Sequence, residues 1–332
     1  MTPTQVMLGT LSDNAIRCAT GVMLLAMGVY AARWAMDRER VTAAVPATRE
    51  PALVGAVTPA DLGSGLPTTA GPDPEAAVTE RAAGSERTRR AETLGRIAFN
   101  LFVLAGAVLV IGVVLRGVAA ERVPWSNMYE FATAGSAGIF LVYMGVRSRL
   151  RLQWLEFPLS FFLLVMLGLA TTVLYTPVSG LIPALQSYWL AIHVTAAVTG
   201  TAVFSVAFLI TVMQLIRRRQ ESAGKPSRLP PSASMDTAAY RLNAFAFPIW
   251  TFALIAGAIW AQHAWGRFWG WDPKEVWMFI TWVSYACYLH ARATPGWRRR
   301  LPWIGVVAYA TIFFNLVIVN VFITGLHSYA GV

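Results

Sequence analysis

Residues 96–116 read RIAFNLFVLAGAVLVIGVVLR. Between its two terminal arginines the run holds 19 residues, all apolar or small except Asn100. A helix rises 1.5 Å per residue, so about 20 apolar residues cross the roughly 30 Å of a bilayer's hydrocarbon. Seven further runs of this kind lie at roughly 14–35, 127–145, 154–174, 188–215, 243–263, 274–291 and 303–323. The apolar residues are continuous rather than alternating, which excludes a membrane β-barrel. In lipid each run must satisfy its own backbone hydrogen bonds, and helix is the remaining solution. The expected fold is therefore all-α: a polytopic transmembrane protein of about eight helices. The first run is too long for a signal-peptide core and lacks a basic leader, so it reads as a retained helix.

The composition agrees. Of 332 residues, 56% are hydrophobic and 13% charged, against about a quarter charged in a soluble domain. Cys18 and Cys287 both sit in apolar runs and form no CxxC pair, so neither a disulfide framework nor a thiol redox motif is expected. The net charge of +10 points away from nucleic acid once its placement is considered. Twenty Lys and Arg fall in segments 37–95, 146–153, 216–241 and 292–302, and five on the alternate set of connections. Basic residues mark cytoplasmic connections. Both termini and the loops near 117–126, 175–187 and 264–273 are then expected outside.

Residues 41–90 are rich in Pro, Gly, Ala, Thr and Glu without a periodic apolar face, which reads as a flexible tether. This divides the chain into an N-terminal transmembrane helix (1–36), a flexible cytoplasmic linker (37–95) and a seven-helix membrane domain (96–332). The last includes an outer Trp-rich loop at 264–277.

That loop carries the chemistry. Residues 265–277 read WGRFWGWDPKEVW, with four Trp and a Phe, more than an interfacial aromatic belt supplies. Trp265, Trp269, Trp271 and Trp277 offer faces for a large planar ligand, and Arg267 and Lys274 offer charge for anionic edges. Heme fits this description: its iron accepts neutral imidazole on either face. The chain has four His. On this topology His193 lies one to two turns inside the outer end of its helix, and His263 and His327 also lie outside. His290 falls on the inner side. His193 and His327 are the expected axial pair of an outer heme. Asp272-Pro273-Lys274-Glu275 also has the order of a helix start, with Asp at the cap, Pro at N1 and Glu at N3. Asp272 reads first as that cap and remains a candidate for heme contact. An interface anchor remains the alternative for the Trp residues, and an amphipathic helix end for His263.

The 265–277 run resembles the tryptophan-rich WWD signature of heme-handling membrane proteins, and its surroundings resemble the CcsA/ResC family of system II cytochrome c biogenesis, named CcsB in some bacterial lineages. Four more stretches share the likeness: Pro124–Glu130, Ser187–Val194 with His193, Trp282–His290 and Gly325–Tyr329 with His327. Together the likeness covers about 120–331. It implies heme b as cofactor and a bacterial plasma-membrane location with the Trp-rich loop on the extracytoplasmic side. It also implies a ResB-type membrane partner, and heme attachment to CxxCH motifs of apocytochrome c by a holocytochrome c synthase complex. A thioredoxin-like thiol reductant is a further implied partner. In that family an inner heme takes one His from each protein, which would make His290 this chain's contribution. A heme exporter or store without ligase activity, and an unrelated transporter or anchor, are the competing readings.

Overall fold

The computed structural model describes residues 1–43, 74–180 and 185–327. Among the described residues there are eight main helices and no strand. They are α1 (Pro3–Ala43), α2 (Pro74–Ala120), α3 (Met128–Val146), α4 (Glu156–Thr172), α5 (Tyr188–Ser222), α6 (Ser232–Trp265), α7 (Pro273–Ala293) and α8 (Leu301–Phe322). The molecule is an all-helical polytopic membrane protein, and the helices follow the apolar runs closely.

Two details refine the sequence reading. First, of the eight expected helices, six are long and apolar enough to cross a membrane by composition alone, and α3 and α7 fall short of that measure. Their polar residues explain this. Glu130, Thr133 and Ser136 on α3, and Glu275 and Thr281 on α7, are buried inside the protein, where neighbouring helices shield them from lipid. Second, α1 runs to Ala43 and α2 begins at Pro74, so helix extends into both ends of the stretch read as a linker. Residues 74–95 are dominated by Ala, Glu and Arg, which are strong helix formers, with Pro74 at the first helical position, where a missing N–H does no harm. The middle of the expected linker, 44–73, lies outside the described residues.

α1 packs against α2 and α4, α5 against α6, and α7 against α8. Apolar contact fills the centre, where Phe102, Tyr143, Leu163, Phe204 and Trp250 share one core. Polar locks close the two ends. At one, the fully buried Arg116 of α2 bonds Asp13 of α1 at 3.2 Å and Glu130 of α3 at 3.0 Å. Arg122 adds a second guanidinium to Glu130 at 2.7 Å. At the other, Arg147 Nε donates to Glu156 at 2.9 Å, and the Tyr30 hydroxyl of α1 reaches the same carboxylate at 3.1 Å. From Glu130 to Arg147 is about 26 Å at 1.5 Å per residue, close to the hydrocarbon thickness.

Glu130 also accepts the Ser126 N–H at 2.8 Å. It thereby holds the segment ahead of α3. Replacing Glu130 with Ala leaves two buried or half-buried guanidinium groups short of an anion, and breaking such a pair costs about 3–5 kcal/mol. Glu130→Ala should lower the thermal unfolding midpoint of the detergent-solubilised protein sharply, whereas the charge-preserving Glu130→Asp should lower it less.

Candidate heme site

Two helix starts line one cavity. Asn127 caps α3, its Oδ1 accepting the Glu130 N–H at 2.9 Å. Asp272 caps α7 in a full capping box: Asp272 accepts the Lys274 N–H at 3.3 Å, and Glu275 Oε2 accepts the Asp272 N–H at 3.0 Å. Both caps suit their residue types, because short polar side chains satisfy the free N–H groups of a first turn. Between these starts, α5, α6 and the end of α8 enclose a cavity of about 1140 Å³ including its open mouth. His193, Trp260, Trp269, Lys274 and His327 are among its lining residues. In α8 the segment Phe314–Val319 is π-helical and brings Asn315 and Leu316 to the cavity wall; π turns often mark functional positions.

Both expected axial histidines reach this cavity, from positions far apart in the chain. His193 Nδ1 bonds the Ala253 carbonyl oxygen of α6 at 2.8 Å. A carbonyl only accepts, so Nδ1 carries the proton, and the neutral ring keeps its lone pair on Nε2. His327 Nδ1 bonds Asp272 Oδ2 at 2.7 Å, which directs its Nε2 in the same way. An acceptor behind each imidazole fixes the tautomer and raises ligand basicity, the arrangement found behind metal-bound histidines. Trp260 links the two. Its ring lies 6.0 Å from His193, nearly parallel, and 5.4 Å from His327, edge to face. Trp265 stands 4.7 Å from the His327 ring. Two preset imidazole Nε2 atoms in a cavity walled by indoles match the donor set of a bis-imidazole heme.

Asp272 therefore does two jobs that the sequence presents as one. Besides capping α7 it clamps the chain after α8: Oδ1 accepts the Leu326 N–H at 2.7 Å while Oδ2 holds His327. Gly325 allows this approach, since a Cβ there would lie 2.6 Å from Asp272 Oδ1. Burial alone would raise the Asp272 carboxyl. The bond and charge of His327, with the Leu326 and Lys274 N–H groups, outweigh it and hold the carboxyl below its ordinary range.

The remaining expected site residues divide. Trp269 lines the cavity, and Trp265 backs it through His327 and Trp260. Trp271 is largely exposed, has φ +60°, and packs edge-on against Trp269 at 5.7 Å. Trp277 is not among the cavity's lining residues and stacks on Phe314 at 3.9 Å. The Arg267 guanidinium lies against Gly270, where any Cβ would overlap it. His263 is exposed and bonds the Ile259 carbonyl one turn back. His290 is exposed at the far end of α7, about 27 Å along the helix from Asp272 at 1.5 Å per residue. Sequence reasoning missed Trp260, Trp250 and Asn127, which all line the cavity.

Gly257 sets the room for His193. A Cβ at that position would stand 2.7 Å from the imidazole. Gly257→Ala should push the ring off the Ala253 carbonyl and weaken heme affinity by about 10–100-fold, the usual cost of disturbing the support behind a metal ligand. Helix content by circular dichroism should be unchanged, and optical titration with heme reads the affinity.

Comparison with known proteins gives the family of the chain. Residues 125–328, more than half the chain, match the family described as cytochrome C assembly protein. The chain belongs to this family. It is 33% identical over 234 residues to the cytochrome c biogenesis protein CcsA of Chlamydomonas reinhardtii, covering 68% of this chain and 66% of the relative, just under two thirds. The CcsA of Prochlorococcus marinus is 30% identical over 262 residues, covering 69% of this chain and 82% of the relative. Among solved structures, the cytochrome c heme lyase CcmF superposes with TM-score 0.54 at 16% identity, over 96% of this chain and 47% of that one. That likeness shows a shared fold.

Proposed function

We propose that this CcsA-family protein is the heme-presenting subunit of a cytochrome c synthase of the system II type. It would hold heme b at the outer face of a bacterial plasma membrane for attachment to the CxxCH motif of apocytochrome c. The observation that carries the reading is the pair His193 and His327. Each has its Nδ1 committed to a backbone or side-chain acceptor, and both line one indole-walled cavity. When bound, heme supplies the vinyl groups to which the acceptor's two thiols add, forming thioethers.

The chain's own residues need supply no nucleophile, because the acceptor brings its cysteines. Their work is positional: holding reactants in one orientation can contribute several kcal/mol to a bond-forming step. His193 on α5 and His327 on the segment after α8 grip from separate elements, so one can release while the other retains. With heme bound, the Asp272 clamp would favour His327 as the retained ligand and His193 as the one to yield to the acceptor's histidine. Trp260, Trp265 and Trp269 exclude water from the enclosed side.

The same reading places the Trp-rich loop and both termini outside, with the basic connections inside. His290 then contributes one ligand to an inner heme, a ResB-type partner contributing the other, and a thioredoxin-like protein keeps the acceptor thiols reduced. Coexpression of the full chain, a ResB-type partner and a CxxCH reporter tests it: covalent heme on the reporter, detected by heme staining after denaturing electrophoresis, should require this chain. Heme copurifying with the chain while the reporter stays unmodified would favour an exporter or store instead.

A further inference from the structure

At each helix start on the cavity one polar side chain uses one arm and leaves the other idle. Asn127 spends Oδ1 on the Glu130 N–H, so its amide orientation is fixed and Nδ2 must be the free arm. That Nδ2 is buried and has no hydrogen-bond partner. Glu275 spends Oε2 on the Gly270 and Asp272 N–H groups, and its Oε1 is likewise buried and unpartnered. Beside them Lys274 lines the same cavity, and its ammonium makes no hydrogen bond or ion pair within the described residues. A buried donor left unmatched costs about 1–3 kcal/mol, and such groups gather where a ligand completes them. The first turns of α3 and α7 both line this cavity, and a helix N-terminus favours an anion.

We infer that Lys274 and Asn127 form a carboxylate-binding corner of the cavity, and that it takes a propionate of the bound heme. The inference rests on the heme reading above and deepens it. Arg267, the other cation expected to meet the porphyrin's anionic edge, is turned onto Gly270. The amide and ammonium would donate to the carboxylate. The consequence is rotational. With heme bound, His193 and His327 would hold the iron but would not by themselves fix the rotation of the porphyrin. The propionates lie on one edge of the macrocycle and the vinyls across from them. Anchoring the acidic edge at Lys274 and Asn127 directs the vinyl edge to the opposite side, so the pair are positioning residues for thioether formation.

Optical titration of the full-length, detergent-solubilised protein with iron protoporphyrin IX and with its dimethyl ester tests this. The variants are Lys274→Met and Asn127→Asp; Asp keeps a good cap but replaces the donor with a repelling oxygen. Wild type should prefer the diacid by about tenfold or more, since a hydrogen bond to a charged group commonly contributes that much. Each variant should lose most of that preference by binding the diacid more weakly, while diester affinity and the low-spin spectrum stay as in wild type. A wild-type protein that gives low-spin complexes of equal affinity with both porphyrins overturns the carboxylate corner and leaves the heme reading standing. So does an undiminished preference in both variants. A wild type that forms no low-spin complex with either porphyrin overturns both.

Discussion

The His193→Gly, His327→Gly double variant is expected to insert and fold but to lose stable heme and all thioether formation. Neither side chain supports the fold heavily. His193 gives up one bond to a carbonyl that still belongs to its helix, and His327 lies in the segment beyond α8. The loss in heme affinity should exceed the roughly 100-fold that follows from losing a partner behind a ligand, because the ligands themselves are gone. The single variants should differ. Without His193, His327 is still held by Asp272 and should keep a weakened heme that added imidazole converts back to low spin. Without His327, Asp272 still accepts the Leu326 N–H but supports no ligand, and retention should fall further. Equal retention in the two single variants would contradict the assignment of His327 as the anchored ligand.

Asp272→Ala should lower both helix capping and heme affinity. The substitution removes the α7 cap, worth about 1 kcal/mol, and frees both Leu326 and His327 from the carboxylate. The heme deficit should be about 10–100-fold, with only a modest fall in thermal stability. Asp272→Asn separates the two roles. Asn caps a helix as well as Asp, so stability should return to near wild type, while the neutral amide supports the imidazole less well and heme affinity should stay low. If Asp272→Asn restored heme binding fully, the carboxylate charge would have no part in tuning the ligand. Measured thermal midpoints and heme titrations on the same preparations distinguish the two roles directly.

Much of this architecture is written in the chain, because lipid leaves few options. Runs such as 96–116 and 188–215 reappear as α2 and α5, and the capping box at Asp272 was readable from residue order alone. What was not readable has a common cause: it depends on contacts between distant segments. Nothing local joins Asp272 to His327, 55 residues on, or shows that Trp277 turns to Phe314 while Trp260 turns to the cavity. Trp260 sits in an apolar run where an indole reads as core, and Asn127 as an ordinary cap. The helical start of α2 was obscured for a different reason. Residues 74–95 have no apolar stripe, and their helicity follows from Ala, Glu and Arg propensity rather than from a buried face. The α3 and α7 runs look like ordinary spans until Glu130 and Glu275 are seen to point inward.

The central claim is a bis-imidazole heme held by His193 and His327, and the absorption spectrum of the purified chain, before and after dithionite, tests it most directly. The account predicts a six-coordinate low-spin spectrum in both states and its loss in the His193→Gly variant until imidazole is added. A high-spin spectrum, or a low-spin spectrum that survives removal of both histidines, would contradict it.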